Sequence, residues 1–316
     1  MRRRHPTELL DAARSGDRAA LARLLSLVER GGADAREVAR LAYPLSGGGY
    51  TVGLTGAPGA GKSTLTSALI GVMRKLELPV SVLAIDPSSP FTGGAILGDR
   101  VRMGDHALDP GVFIRSMASR GHLGGLALAT HEAIRVLDAV GAGWVLLETV
   151  GVGQVEVEVA GAADTTVVVV NPGWGDSVQA NKAGLMEIAD LFVINKADRA
   201  GAAETRRDLE SMLALTESGD WVPPILETTA TSGGGVTEVW DEIGRHRAFL
   251  ESSGHLAERR EKRLREEFEQ VIVQRLRWRA TSLVGDDDLA RLEAEVLARR
   301  IDPWAAADEI LGPVGA

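Results

Sequence analysis

Residues 56–64 read GAPGAGKST, and no other stretch of the 316-residue chain restricts its fold as tightly. The spacing Gly56-x4-Gly61-Lys62-Ser63 is a complete phosphate-binding loop pattern. Glycines let backbone N–H groups turn inward around a phosphate, Lys62 supplies a cation, and the Ser63 hydroxyl is suited to Mg2+. Gly56, Ala57, Pro58, Gly59, Ala60, Gly61, Lys62, Ser63 and Thr64 are therefore the candidate cradle for a nucleotide's phosphates. Such a loop has to leave a buried strand and open a helix. TVGLTG (51–56) reads as that strand, and Leu65, Leu69, Val72, Met73 and Leu76 recur at helical spacing after it.

The rest of the chain is organised around this unit. Residues 1–45 are expected to be helical, with Leu21, Leu24, Leu25 and Val28 on one face, and SGGG (46–49) breaks the pattern. From there to about residue 254, apolar runs alternate with helical ones: VSVLAID (80–86), GWVLLET (143–149), TTVVVVN (165–171), LFVIN (191–195) and PPILETT (223–229). GVFIRSM (111–117) adds a further short strand. Near-continuous apolar strands separated by helices predict an α/β fold, a mostly parallel sheet covered on both faces, with ligands at the carboxyl ends of its strands. Residues 255–316 carry no strand, and Leu264, Phe268, Val271 and Leu276 form an amphipathic stripe. Asp302-Pro303 reads as the cap and first position of a last short helix. By pattern alone this tail either packs back on the body or grips another subunit. The expected division is 1–45, an N-terminal helical extension; 46–254, the nucleotide domain; and 255–316, a C-terminal helical arm.

Composition removes several classes. A formal net charge of −9 argues against nucleic-acid binding, and the absence of cysteine excludes disulfides, thiolate metal sites and thiol nucleophiles. No uncharged apolar run approaches the roughly 18–20 residues of a membrane span. MRRRH at the start is followed by no apolar core of a signal peptide, so a cytoplasmic location is expected.

A phosphate loop does not choose its base; LFVINKAD (191–198) does. Asn195-Lys196-Ala197-Asp198 follows an apolar strand, and the Asp198 carboxylate can accept from guanine N1–H and the N2 amine. Adenine offers neither donor, and a site built on such bonds rejects the mismatched ligand by factors on the order of 10^4. Lys196 would lie over the base, and Asn195 would tie this loop to the phosphate loop. TATSGG (229–234), with Ala230 and Thr231, occupies the place where backbone N–H groups close a base pocket. GTP and GDP are thus the expected ligands, with Mg2+. Oxygen ligands for Mg2+ are sought at strand ends: Asp86 after VSVLAI, Asp99 in GGAILGD, and Glu148 after WVLL. Which of the three ligates the ion and which orients water stays open; capping of a helix is the alternative for Asp86, and pairing with Arg100 or Arg102 for Asp99. Glu148-Thr149-Val150-Gly151 parallels the D-x-x-G of common GTPases, so the Gly151 N–H can touch a γ-phosphate. The residue after Gly151 is Val152, where a glutamine would orient the attacking water, and Gln154 follows. Slow intrinsic hydrolysis is the expectation, with Lys62, Asp86, Asp99, Glu148 and Gln154 as catalytic candidates.

DPSSPFTGGAILGDRVRM (86–103), ETVGVGQVEVEVA (148–160) and QANKAGLMEIADLFVINKAD (179–198) together resemble the MeaB/ArgK family of SIMIBI-class GTPases, over roughly residues 10–300. The resemblance implies a GTP-hydrolysing chaperone of an adenosylcobalamin-dependent acyl-CoA mutase, with methylmalonyl-CoA mutase as the family default, and a homodimer held by C-terminal helices. It also implies three switches: 86–103, 148–158, and Gln179 to Asp190 with Lys182 and Glu187. Val155 departs from the small polar residue many relatives place there. Competing readings are a nickel metallochaperone, disfavoured by the scattered histidines; an ATP-dependent small-molecule kinase, which would leave Asp198 unexplained; and a module that holds GTP without turnover.

Overall fold

The computed structural model describes residues 4–87, 104–106, 108–119, 125–149, 161–173, 179–215, 219–283 and 286–312. They divide into two compact units, Met1–Glu261 and Lys262–Ala316.

The first unit opens with three helices, α1 (Pro6–Arg14), α2 (Arg18–Arg30) and α3 (Gly32–Ala42). Asp17 starts α2 by accepting from the Ala19 and Ala20 N–H groups, and those bonds hold its carboxyl below the usual range. The alternating portion follows as β1 (Tyr50–Thr55), α4 (Lys62–Lys75), β2 (Val80–Pro87), β3 (Val112–Ser119), α5 (Gly125–Ala139), β4 (Trp144–Thr149), β5 (Thr165–Val170), α6 (Gln179–Ile188), β6 (Leu191–Asn195), α7 (Ala202–Leu213), β7 (Ile225–Thr228) and α8 (Val236–Ser253). Helix α9 (His255–Leu283) begins in this unit and runs into the second.

Among the described residues the strands form one seven-stranded parallel sheet in the order β3-β2-β4-β1-β5-β6-β7. β1, β5 and β6 are buried along their whole length, so both faces are mostly apolar and the polar side chains of Thr55, Thr165 and Asn195 that they carry are hydrogen-bonded. On one face Leu83, Ile85 and Leu147 meet α5 and the three N-terminal helices. On the other, Val52, Leu54, Val167 and Val193 meet Leu65, Leu69 and Met73 of α4 and Val239 and Ile243 of α8. The even-numbered partners Val168, Val170, Phe192 and Ile194 face Leu185 of α6 and Leu209 of α7. The segment 111–117 is indeed a strand, β3. β7 is shorter than PPILETT suggests, because Pro223 and Pro224 have no N–H for a ladder. Only the Pro224 carbonyl joins in, accepting from Phe192 N at 2.9 Å.

The amino edge of the sheet is closed by charge. Asp164 and Asp190 immediately precede β5 and β6, and each reaches across to the neighbouring strand: Asp164 Oδ2 accepts from Thr51 N at 3.0 Å, Asp190 Oδ2 from Thr166 N at 2.8 Å. Consecutive arginines at the root of α9 complete them. Arg259 donates to both Asp190 oxygens (2.9 and 3.1 Å), and Arg260 to both oxygens of Asp164 (2.8 and 3.2 Å). Burial lowers each guanidinium pKa, but the carboxylates outweigh it and hold both above the ordinary value. Arg260 also donates to the Gly47 and Gly49 carbonyls, while Asp138 of α5 accepts from the N–H groups of the same two glycines. Beside them lies His246 of α8, wholly buried, with Nδ1 2.8 Å from Thr165 Oγ1 and Nε2 3.3 Å from Asp190.

In the second unit, α10 (Asp286–Leu297) and α11 (Pro303–Leu311) follow the distal part of α9. Asp302 caps α11 through Trp304 N and Ala305 N, and Arg291 pairs with Glu309 between the two helices. Phe268, Leu276 and Trp304 are exposed. No helix among the described residues is long and apolar enough to cross a membrane.

Two stability outcomes follow from the closed edge. Arg260→Ala removes the guanidinium partner of a buried carboxylate, and denaturant melts should show a loss of roughly 2–3 kcal/mol, below the full cost for a wholly buried pair because Arg260 is part-exposed. Burial pushes the His246 imidazole down to about 4 from 6.5, with Asp190 opposing the shift. The unfolded chain therefore takes up this proton first, and stability is lost as pH falls from 6.5 toward 4. Between pH 7.5 and 5, the native protein should lose about 2 kcal/mol more than His246→Phe, read from urea midpoints.

Candidate nucleotide site

The carboxyl edge carries the loops. β1 runs straight into residues 56–61, and α4 begins at Lys62, so its first N–H groups and positive dipole end face the loop interior. Two glycines there are irreplaceable on space alone. Gly56 has φ 129°, and a Cβ would lie 2.0 Å from the Val169 carbonyl oxygen of β5; at Gly61 (φ 94°) it would lie 2.3 Å from Asn195 Nδ2. Lys62 Nζ donates to the Gly56 carbonyl at 2.5 Å and to that of Ala57 at 3.2 Å, which holds the ammonium across the loop mouth.

Glu148, 1% exposed, sits on β4 opposite Leu54 of β1 and Ala84 of β2. Its Oε1 accepts from Ser63 Oγ at 2.5 Å. A hydroxyl and a carboxylate converging beside a phosphate loop are hard oxygen donors of the kind Mg2+ takes. Thr149, the next residue, lies 3.3 Å from Thr55 Oγ1. Asp86 lies two residues beyond Ala84 on β2, hence at the same edge. The side chains of Asp86 and Lys182 lie outside the described residues, as do Asp99, Gly151 and Gln154 altogether.

Asn195 ends β6 and is buried. Its Nδ2 donates to the Ala60 carbonyl at 3.0 Å and lies 3.4 Å from that of Gly61, so the loop after β6 is bound to the phosphate loop. Its Oδ1 accepts from Thr228 Oγ1 at 3.1 Å and from Ala230 N at 3.2 Å. Ala230 N–H, sought above as a donor to the base, thus serves the Asn195 amide here. Lys196 takes a left-handed conformation (φ 60°) and donates from Nζ to the Gly59 carbonyl at 2.7 Å. This lays its aliphatic stem against the phosphate loop. Asp198 is exposed at the rim of the same turn, which is fixed by Ala197 N to Thr228 O and Arg199 N to Lys196 O. Beyond β7, the loop with Ala230 and Thr231 closes through Thr229 N to Gly234 O (2.9 Å). Gly235 (φ 75°) ends it, where a Cβ would lie 2.1 Å from the Glu227 carbonyl oxygen. Cradle, buried carboxylate and the NKAD turn thus meet at one edge, an arrangement able to hold a nucleotide's phosphates and read its base from one side.

Thr228 and Gly235 were not among the residues singled out from sequence. Thr228 is placed by register, opposite Asn195 across β6 and β7, and that pairing is invisible until the strand order is known.

Comparisons with known proteins agree with this geometry. The family profile described as methylmalonyl Co-A mutase-associated GTPase MeaB matches residues 21–283. A Pyrococcus abyssi relative is 53% identical over 310 residues, covering 96% of this chain and 95% of its own. The mitochondrial methylmalonic aciduria type A homolog of Mus musculus is 34% identical over 319 residues, covering 94% of this chain and 76% of its own. Among solved structures, one of a LAO/AO transport system kinase superposes with a TM-score of 0.72 at 27% identity, over 97% of this chain and 96% of that one.

Removing the Thr228 hydroxyl should loosen Asn195 without touching a ligand. Thr228→Val is expected to weaken GDP binding about five- to tenfold, the worth of one buried hydrogen bond, and Thr228→Ser to restore it, measured by equilibrium titration.

Proposed function

The chain belongs to the MeaB family of methylmalonyl-CoA mutase-associated GTPases, and on that footing we propose that its GTP hydrolysis gates an adenosylcobalamin-dependent acyl-CoA mutase, controlling cofactor loading and protecting or reactivating the enzyme. The observation that carries the nucleotide half of this reading is Asn195, which binds the guanine-reading turn to the phosphate loop. The mutase half rests on the family's description and on the name of the mouse relative. Methylmalonyl-CoA mutase is the partner of first choice.

In this reading the backbone N–H groups of Gly59, Gly61, Lys62, Ser63 and Thr64 and the Lys62 ammonium hold the β- and γ-phosphates, and Asp198 accepts from guanine N1–H and N2–H. Lys196 covers the base, and the loop at Ala230 and Thr231 closes its edge. Ser63 would hold Mg2+, with Glu148, Asp86 and Asp99 as the carboxylates that would ligate it or orient water. When bound, that ion supplies charge compensation for the phosphates. Gly151 and Gln154 act at the γ-phosphate and the attacking water. A water oxygen bonds to the γ-phosphorus as its bond to the β-bridging oxygen breaks, giving GDP and phosphate. Buried and low in water, the Glu148 carboxylate keeps Ser63 oriented while this occurs.

Gating needs two states with different affinity for the mutase; a tenfold preference takes about 1.4 kcal/mol. Residues 86–103, 148–158 and 179–190 are the segments assigned to that change. The chain works as a homodimer in the cytoplasm, built from 1–45, 46–254 and the arm 255–316. Support for the dimer comes from Leu264, Phe268, Ile272 and Leu276, four apolar residues at helical spacing on α9, between 40% and 65% exposed.

The deciding experiment is GTP turnover by the purified protein, alone and with such a mutase, with ATP as control. A slow, GTP-selective rate that rises on adding the mutase is expected, and Lys62→Ala should lower it at least about a hundredfold. A rate indifferent to the mutase removes the gate; preference for ATP removes the base assignment.

A further inference from the structure

The crossover from β5 to β6 begins at the nucleotide edge and ends at the opposite one. β5 lies against the phosphate loop, with Val168 paired to Thr55 and the Val169 carbonyl under Gly56. The chain then returns as α6, packed through Leu185 on Val168, Val170, Phe192 and Ile194, and reaches Asp190 two residues after its last turn.

Asp190 is where that crossover meets the start of α9. Its side chain is 9% exposed and accepts from two elements besides its own, Thr166 N of β5 at 2.8 Å and the Arg259 guanidinium at 2.9 and 3.1 Å, while His246 Nε2 of α8 lies 3.3 Å away. Arg259 also donates to the Asp164 backbone carbonyl at 3.2 Å. Immediately upstream, Gly254 (φ 83°) separates α8 from α9, so the root of α9 starts at a left-handed joint. The neighbouring Arg260 holds that root differently. It is bound to Asp164, Gly47 and Gly49, none of which belongs to the crossover.

We propose that the Asp190–Arg259 pair is a mechanical link between α6 and the root of α9, through which nucleotide state at the phosphate loop biases the C-terminal helix. The physical basis is that a bidentate charge-assisted pair has a narrow geometry. A displacement of α6 that carries Asp190 must take Arg259 with it or forfeit both bonds. The coupling is therefore reciprocal: whatever fixes α9 also biases α6. This deepens the gating reading above and rests on its premise that nucleotide state moves the chain.

The test is hydrogen exchange over residues 262–283 in the full-length protein, loaded with GDP or with a non-hydrolysable GTP analogue. Exchange rates should differ between the two at least about threefold in the native protein. That ratio should fall to near one in Arg259→Gln and take an intermediate value in Arg259→Lys, which keeps the charge but loses the fork. Arg260→Lys should leave it within about twofold of native. Circular dichroism checks folding, and where Arg259→Gln fails to fold, Arg259→Lys decides. Equal exchange with both nucleotides in the native protein overturns the link, and so does a ratio that survives Arg259 substitution. GTP turnover is measured in parallel. Absent turnover sinks the gating reading, whereas the exchange comparison needs only that both nucleotides bind.

Discussion

One planar amide holds the candidate site together. Asn195 has its nitrogen on the carbonyls of the phosphate loop and its oxygen on Thr228 and the Ala230 N–H. Three loops from three strands are thereby fixed to one rigid group. Neither end of it is replaceable by simple chemistry. A carboxylate could not donate to Ala60 and would add negative charge beside the phosphate cradle, while an aliphatic residue would leave donors and acceptors on both sides without their partner. Because the residue is buried, each such loss carries the full cost of an unmet hydrogen bond.

That arrangement is possible because the sheet is wholly parallel. Every strand ends at the same edge, so loops from β1, β4, β6 and β7 converge there without further instruction. The opposite edge faces the converse problem: strand beginnings present N–H groups with no neighbour in register. Asp164 and Asp190 meet it by accepting from the adjacent strand, and Arg259 and Arg260 compensate the charge this introduces. The two edges thus differ in kind. One is built from loops that meet around a phosphate cradle, the other from paired side-chain charges.

Much of this is readable along the chain, and the parts that are not share a cause. The runs at β1, β5 and β6 declare themselves because burial on both faces forces mostly apolar sequence. GAPGAGKST and NKAD are legible because each is local: a handful of consecutive residues contains the whole device. β3 is fainter, since Arg115 interrupts it. That arginine is kept on the strand by pairing with Glu29 of α2, a partner that strand pattern cannot supply. Thr228 is hidden for a related reason: its meaning depends on register against β6. Asp190 and Arg259 stand 69 positions apart, so nothing along the chain marks one as the partner of the other. The motifs at 88–103 and 150–160, which carried much of the family resemblance, lie outside the described residues, so their chemistry rests on sequence.

The triple glycine at residues 47–49 reads along the chain as slack between the N-terminal helices and the sheet. In the fold it is clasped, with its amides on Asp138 and its carbonyls on Arg260. Gly49 also has no room for a Cβ, which would lie 2.9 Å from the Ala142 carbonyl. Gly49 therefore serves close approach, Gly47 serves a left-handed backbone (φ 121°), and the segment behaves as a mortise joint in which the backbone itself is the tenon. Such a joint has a fixed length. Residues could be added to an ordinary surface loop with little harm, but one added here would misalign four hydrogen bonds at once and unseat the helices that cover Leu83 and Leu147. The N-terminal helices are for that reason an integral layer of the nucleotide-binding body, and a chain shortened to begin at β1 would lose the lid of its own core.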